Sequence, residues 1–149
     1  DKAYFDALSE YQIVESGIPD LLKVARVALP LRVVELMRKD SLDLTDAYRA
    51  LIADTARAAP ESRIVVTHGT DTMTETAKVL AAEVPGKTLC LTGALSPARF
   101  AETDAPFNLG MALATVQTAP PGVYIAMSGE VFDGLKVRKD RAAGKFVAV

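Results

Sequence analysis

A chain of 149 residues, 50% of them hydrophobic and 24% charged, has the makeup of one soluble globular domain. Its formal net charge of −2 leaves no cationic surplus for broad nucleic-acid binding. A single cysteine (Cys90) and a single histidine (His68) exclude an intrachain disulfide, a multi-Cys zinc site and a His-based metal site, and no apolar run approaches a membrane helix.

The chain begins at Asp1 rather than at Met, with no signal peptide ahead of it, and so reads as part of a longer one. A cytoplasmic location is the expectation. Residues 1–17 show no sustained period and read as a loop entering a short helix at Ile18-Pro19. Asp20 to Val27 would be that helix. Leu31 to Leu36, LRVVEL, is a candidate buried strand with a polar loop, Arg38 to Ser41, at its carboxyl end. Asp43 or Thr45 can cap the next helix, whose apolar face is Tyr48, Leu51, Ile52 and Ala56.

Arg63 to Thr67 is a strand that breaks at His68-Gly69 and gives way to a helix with a capping-box match, Thr72 with Glu75. Its inward face would be Met73, Ala77, Leu80 and Ala81. Thr88 to Leu91 is a further strand, followed by a polar loop to Glu102 and a helix capped by Asp104. The apolar face of that helix reads as Phe107, Gly110, Met111 and Ala114. Val123 to Met127 is a strand, residues 129–145 read as a basic loop, and Phe146 to Val149 as the start of one more strand.

Strands alternating with helices predict an α/β fold: a mainly parallel sheet sandwiched by helices, in Rossmann-like or flavodoxin-like layers. Right-handed crossovers would gather the strand-end loops on one edge, where such sheets bind ligands. Those loops carry Ser41, Thr70-Asp71, Thr92-Gly93 and Ser128-Gly129.

Nucleophile candidates are hydroxyls. His68 lies too close to Thr70 in sequence for a conventional triad and reads as bonding its own loop, while Cys90 reads as inert core. A threonine hydroxyl needs a positioned base. A neutral lysine can serve, at a cost of roughly 4 kcal/mol for a shift of about 3 units from ~10.4. Lys139, flanked by Lys136 and Arg138, is one of several lysines that could arrive. Asp71 is open to two readings, a charge favourable at a helix N-terminus or a carboxylate receiving a substrate ammonium. Ser41 is equally open, a loop residue or a ligand.

VVTHGTDTMTETA, Val65 to Ala77, closely resembles the second signature of the bacterial-type L-asparaginases. Further matches fall in order: Asp40 to Thr45 resembles the family's serine-bearing loop, and Leu91 to Pro97 with Ala105 to Leu109 resembles the next loop and helix. Val137-Arg138-Lys139 resembles the segment with the family's lysine. The resemblance spans essentially the whole chain. It implies hydrolysis of L-asparagine to L-aspartate and ammonia through a threonine acyl-enzyme, without a cofactor, membrane or nucleic-acid partner. Thr70, Asp71 and Lys139 would form the catalytic group. Asp71 would also bind the substrate ammonium, Ser41 its carboxylate, and the backbone near Ala94 its side-chain amide.

Three departures accompany the match. The family's first signature, Thr-Gly-Gly-Thr, is not among the 149 residues, so the fold would lack its first strand and the site one threonine. Residues 1–16 resemble the mobile lid that follows that signature, with Tyr11, or else Tyr4, as the lid tyrosine assisting the nucleophile. Leu42 stands where glutamine-tolerant members often have Gln, which implies weak glutaminase activity. The chain stops near where a second domain would begin, so that 1–149 would be an N-terminal-type catalytic domain in a homo-oligomer. Two other readings stand beside this one: a non-catalytic amino-acid-binding domain, and the asparaginase-like subunit of a tRNA-dependent amidotransferase.

Overall fold

A computed structural model describes residues 16–96 and 101–149, together with the backbone of 2–5 and 10–13. Its centre is a four-stranded sheet in the order β3 (Arg63–Thr67), β4 (Thr88–Thr92), β5 (Gly122–Met127) and β6 (Glu130–Asp133). The first three strands run parallel and β6 returns antiparallel through a two-residue turn, Ser128-Gly129, in which both φ angles are positive. The α/β reading is therefore correct. β4 is buried along its whole length, as expected of a strand with a neighbour on each side and helices on both faces.

Side-chain alternation divides the sheet. Leu89, Leu91, Val123 and Ile125 meet α2 (Asp46–Ala58) and α3 (Met73–Glu83) through Ile52, Met73, Ala77 and Leu80. Cys90 and Ala126 face the other way, onto Ala112 and Val116 of α4 (Ala105–Thr118). The side chains of Leu80, Leu89, Leu91 and Ile125 are wholly buried, each contributing about 1.5–3 kcal/mol of burial. Because β3, β4 and β5 step in one direction while α3 and α4 cover opposite faces, the two crossovers have opposite hands. One of them is left-handed, against the expectation that both would be right-handed. The strand-end loops still share one edge.

Other expectations are corrected. Residues 2–5 and 10–13, read as loop, pair as an antiparallel hairpin of β1 (Lys2–Phe5) and β2 (Glu10–Ile13). The first helix, α1 (Ile18–Val24), starts at the predicted Ile18-Pro19 but ends before Val27. The basic 129–145 stretch holds β6 and also β7 (Val137–Asp140), which pairs with β8 (Lys145–Ala148). Val137 and Phe146 anchor that hairpin in the core.

LRVVEL forms no strand; Leu31, Val33 and Val34 are exposed. Arg32 donates two hydrogen bonds to Glu61, at 2.7 and 2.6 Å, just before β3. At the other end Ser41 meets Thr72, beyond the end of β3. The segment thus runs in the same sense as β3 yet shares no ladder bond with it among the described residues. An apolar segment without a partner strand remains coil, and among the described residues the outer edge of β3 is unpaired.

Helix faces depart from expectation in two places. On α2 the buried residues are Arg49, Ile52, Ala53 and Ala56, whereas Leu51 is exposed. On α4 they include Asn108, Leu109, Ala112 and Val116, whereas Phe107 is 61% exposed. Polar residues at inward positions, Arg49 and Asn108, account for the difference, because a count of apolar side chains assigns them to the outer face.

Candidate active site

The β3–α3 turn is built from residues whose polar groups are already committed. His68 N–H donates to Thr92 O across the strand ends, at 2.9 Å. Its ring Nδ1 lies 2.6 Å from Gly69 O and Nε2 2.8 Å from Thr76 Oγ1. A carbonyl can only accept, so Nδ1 carries the proton and Nε2 accepts from the Thr76 hydroxyl. Burial pushes the imidazole below its ordinary pKa, with Arg49 adding to that and the Gly69 carbonyl and Glu75 opposing it. His68 therefore holds its own loop.

The expected capping box is absent. Thr72 stands at the N-cap of α3 but donates instead to Ser41 O at 2.7 Å, and Glu75 accepts from Arg49 at 2.8 Å. Two polar groups that would serve a plain helix start are thus spent on bringing the Ser41 loop and α2 to this turn.

Thr70 and Asp71 point at the β7–β8 hairpin. Lys139 Nζ donates to Thr70 Oγ1 at 2.7 Å and to Asp71 Oδ1 at 2.8 Å. Lys139 lies 68 and 69 positions away in sequence, so only the fold brings the three together. β-Strand alternation explains its aim: Val137, Lys139 and the cross-strand partner Phe146 face inward together. The neighbouring cations face out. Lys136 and Arg138 are exposed and lie 3.9 Å from Asp133 and Asp140 respectively, so they are not the charges packed around Lys139.

Ser41 sits beside this group, 2% exposed, with its Oγ lacking a hydrogen-bond partner among the described residues. It packs on Gly69 so closely that a Cβ there would lie 2.6 Å from its Oγ. Leu42, next to it, is 63% exposed. Ala94 lies half-buried on the loop after β4. Gly93 fits only without a side chain, since a Cβ would collide with the carbonyl of His68. Tyr11 and Tyr4 face each other in the register of the β1–β2 hairpin, but their side chains lie outside the described residues, as does the lid expected over 1–16 as a whole. Cys90 is wholly buried and its thiol is pushed up to about 12, mainly by burial.

Sequence reasoning missed Asn108, wholly buried at the same sheet edge, and Asp104, expected only to cap α4. Their spacing of four residues on one helix was the available signal. Among the described residues no group of three or more His, Cys, Asp or Glu could hold a metal, and no helix is long and apolar enough to cross a membrane.

A family profile described as "Asparaginase, N-terminal" matches residues 4–145. The chain belongs to the asparaginase family. An L-asparaginase of Thermococcus kodakarensis is 36% identical over 83 residues, covering 54% of this chain and 25% of that protein. A "probable L-asparaginase periplasmic" of Haemophilus influenzae is 32% identical over 129 residues, 83% of this chain and 36% of the other. A glutamyl-tRNA(Gln) amidotransferase subunit of Methanococcus vannielii is 32% identical over 137 residues, 83% of this chain and 30% of that one. The solved structure of the thermostable L-asparaginase from Thermococcus kodakarensis superposes with a TM-score of 0.84 at 25% identity, covering 99% of this chain and 47% of its own. The chain spans less than half the length of each of these relatives.

Proposed function

We propose that this asparaginase-family chain carries the catalytic half of an L-asparaginase, releasing ammonia from L-asparagine through a threonine ester. The observation that supports this best is the Lys139–Thr70–Asp71 cluster, assembled from distant parts of the chain. A threonine hydroxyl oxygen attacks the carboxamide carbon and gives up its proton. A proton is delivered to the nitrogen as the C–N bond breaks and ammonia leaves, and water then cleaves the ester, yielding aspartate and restoring the hydroxyl. Because Lys139 donates to Thr70 Oγ1, it is placed to stabilise negative charge developing on that oxygen. Asp71 holds the lysine and offers its second oxygen to a substrate ammonium. Tyr11 would assist from the hairpin, and the backbone at Ala94 would receive the side-chain amide.

Ser41 fits a carboxylate-binding role through its hydroxyl, which has no partner among the described residues. A buried polar group without a partner costs about 1–3 kcal/mol, and such groups persist where a ligand satisfies them. The companion Thr-Gly-Gly-Thr threonine is not in these 149 residues, and a cytoplasmic homo-oligomer is the assembly we propose. The likeness to an amidotransferase subunit favours a second reading, in which the same cluster supplies ammonia to a partner enzyme.

Ammonia release from L-asparagine and L-glutamine tests the reading. Asparagine turnover at least tenfold above glutamine is expected, and Leu42→Gln should narrow that gap. Equal turnover of both amides by the wild type would refute the specificity assignment. Aspartate binding without any ammonia release would favour a non-catalytic amino-acid-binding domain.

A further inference from the structure

Asn108 is a primary amide buried in α4 among Ala105, Leu109 and Ala112, and its hydrogen-bonding capacity is largely used. Nδ2 donates to Gly93 O at 2.9 Å and to Asp104 Oδ2 at 2.9 Å; Oδ1 accepts from Ser128 N–H at 2.9 Å. Asp104 in turn accepts from the backbone N–H of Leu95 at 3.0 Å and of Ser96 at 2.9 Å. One α4 pair therefore fixes both the loop after β4 and the turn after β5. Ser128 adopts a positive φ of 54°, a conformation side chains resist, and the bond from Asn108 helps hold it there.

The loop held this way carries Ala94, and its other side is set by the glycine contact at His68 and by the bond from His68 N–H to Thr92 O. Ser96 is held further by the Thr103 hydroxyl, which donates to its carbonyl at 2.7 Å, and by its own hydroxyl, which donates to Glu102 O at 2.8 Å. Asn108 and Asp104, however, hold Gly93 O and the Leu95 and Ser96 N–H groups. A cap serving α4 alone would need neither Gly93 nor Ser128.

We propose that Asn108, acting with Asp104, is a positioning residue that sets the Gly93–Ser96 backbone at the distance from Thr70 needed to receive the substrate's side-chain amide. This rests on the asparaginase reading for its substrate but not for its geometry. Asn108→Asp keeps the size and the acceptor for Ser128 N–H, but loses the donors and places a carboxylate against Asp104, the titratable group in contact with it. Asn108→Leu removes every bond.

The test has two arms. In amide hydrogen exchange, Asn108→Leu should speed Leu95, Ser96 and Ser128 while β4 and the rest of α4 keep their protection; unchanged exchange at those three would overturn the proposal. In turnover, Asn108→Asp should lower kcat/KM for asparagine on the order of 10²-fold at pH 8, the scale on which misplacement of about 1 Å costs rate. Its activity relative to wild type should then recover toward pH 5, because a carboxyl beside Asp104 takes up a proton readily and regains a donor for Gly93 O. A ratio that stays flat or falls with acid would mean a structural role only and would overturn it. If Asn108→Leu does not fold, the pH ratio of Asn108→Asp decides. If the wild type releases no ammonia, the asparaginase reading falls, and the exchange arm alone decides whether Asn108 positions the loop.

Discussion

At the scale of single residues, the lone histidine and the lone cysteine both serve the fold. His68 is neutral because its ring is buried between a carbonyl and a hydroxyl, facing Arg49 and Glu75. Its folded pKa lies below its unfolded value, so the unfolded chain takes up the proton first. Stability is therefore fully present above about pH 6.5 and is lost as the pH falls through the folded pKa. Urea unfolding of the wild type and His68→Gln between pH 7.5 and 5 checks this: the wild type should lose more stability on acidification, and parallel curves would contradict it. Cys90, with its thiol pushed up to about 12, should react with iodoacetamide at pH 8 only as fast as the protein opens. Alkylation at the rate of a free thiol would contradict its placement in the core. Both roles were legible from sequence, His68 from its proximity to Thr70 and Cys90 from its apolar strand. Lys139 was legible only through the family resemblance; by spacing alone a side chain 69 residues from Thr70 is one lysine among several until the β7–β8 register aims it.

At the scale of elements, the alternation of apolar strands and helices revealed the parallel core, and the Ser41 loop joins the strand-end loops carrying Thr70, Ala94 and Ser128 at one edge. Three features escaped that reading for physical reasons. The strand expected at 31–36 has the composition of a strand but no partner among the described residues, and pairing rather than propensity decides β-structure. The β6 and β7 strands are only four residues each, too short for alternation to stand out against their charges. The inward faces of α2 and α4 include Arg49 and Asn108, whose burial depends on partners on other elements. Gly93 shows how tightly the elements meet: its missing Cβ is what lets β4 approach the His68 carbonyl. Gly93→Ala should destabilise the protein by about 1–3 kcal/mol, as overpacking does, and lower asparagine turnover more steeply than that loss of folding explains. Unchanged melting and activity would show that the two loops can separate freely.

At the scale of the whole molecule, a doubly covered sheet with one left-handed crossover sets a hairpin lysine, a turn threonine and a turn aspartate within hydrogen-bonding distance at one sheet edge. Nothing local demands that meeting; the core residues Val137, Phe146, Met73 and Leu80 hold it in place. The chain matches relatives more than twice its length. The measurement that bears most directly on function is steady-state ammonia release from L-asparagine by the wild type, Thr70→Ala, Lys139→Met and the double variant. If Lys139 and Thr70 act as one unit, each single substitution should lower turnover on the order of 10²–10⁴-fold and the double variant should fall little further. Wild-type turnover retained by Lys139→Met, or independent multiplicative losses, would contradict the central claim.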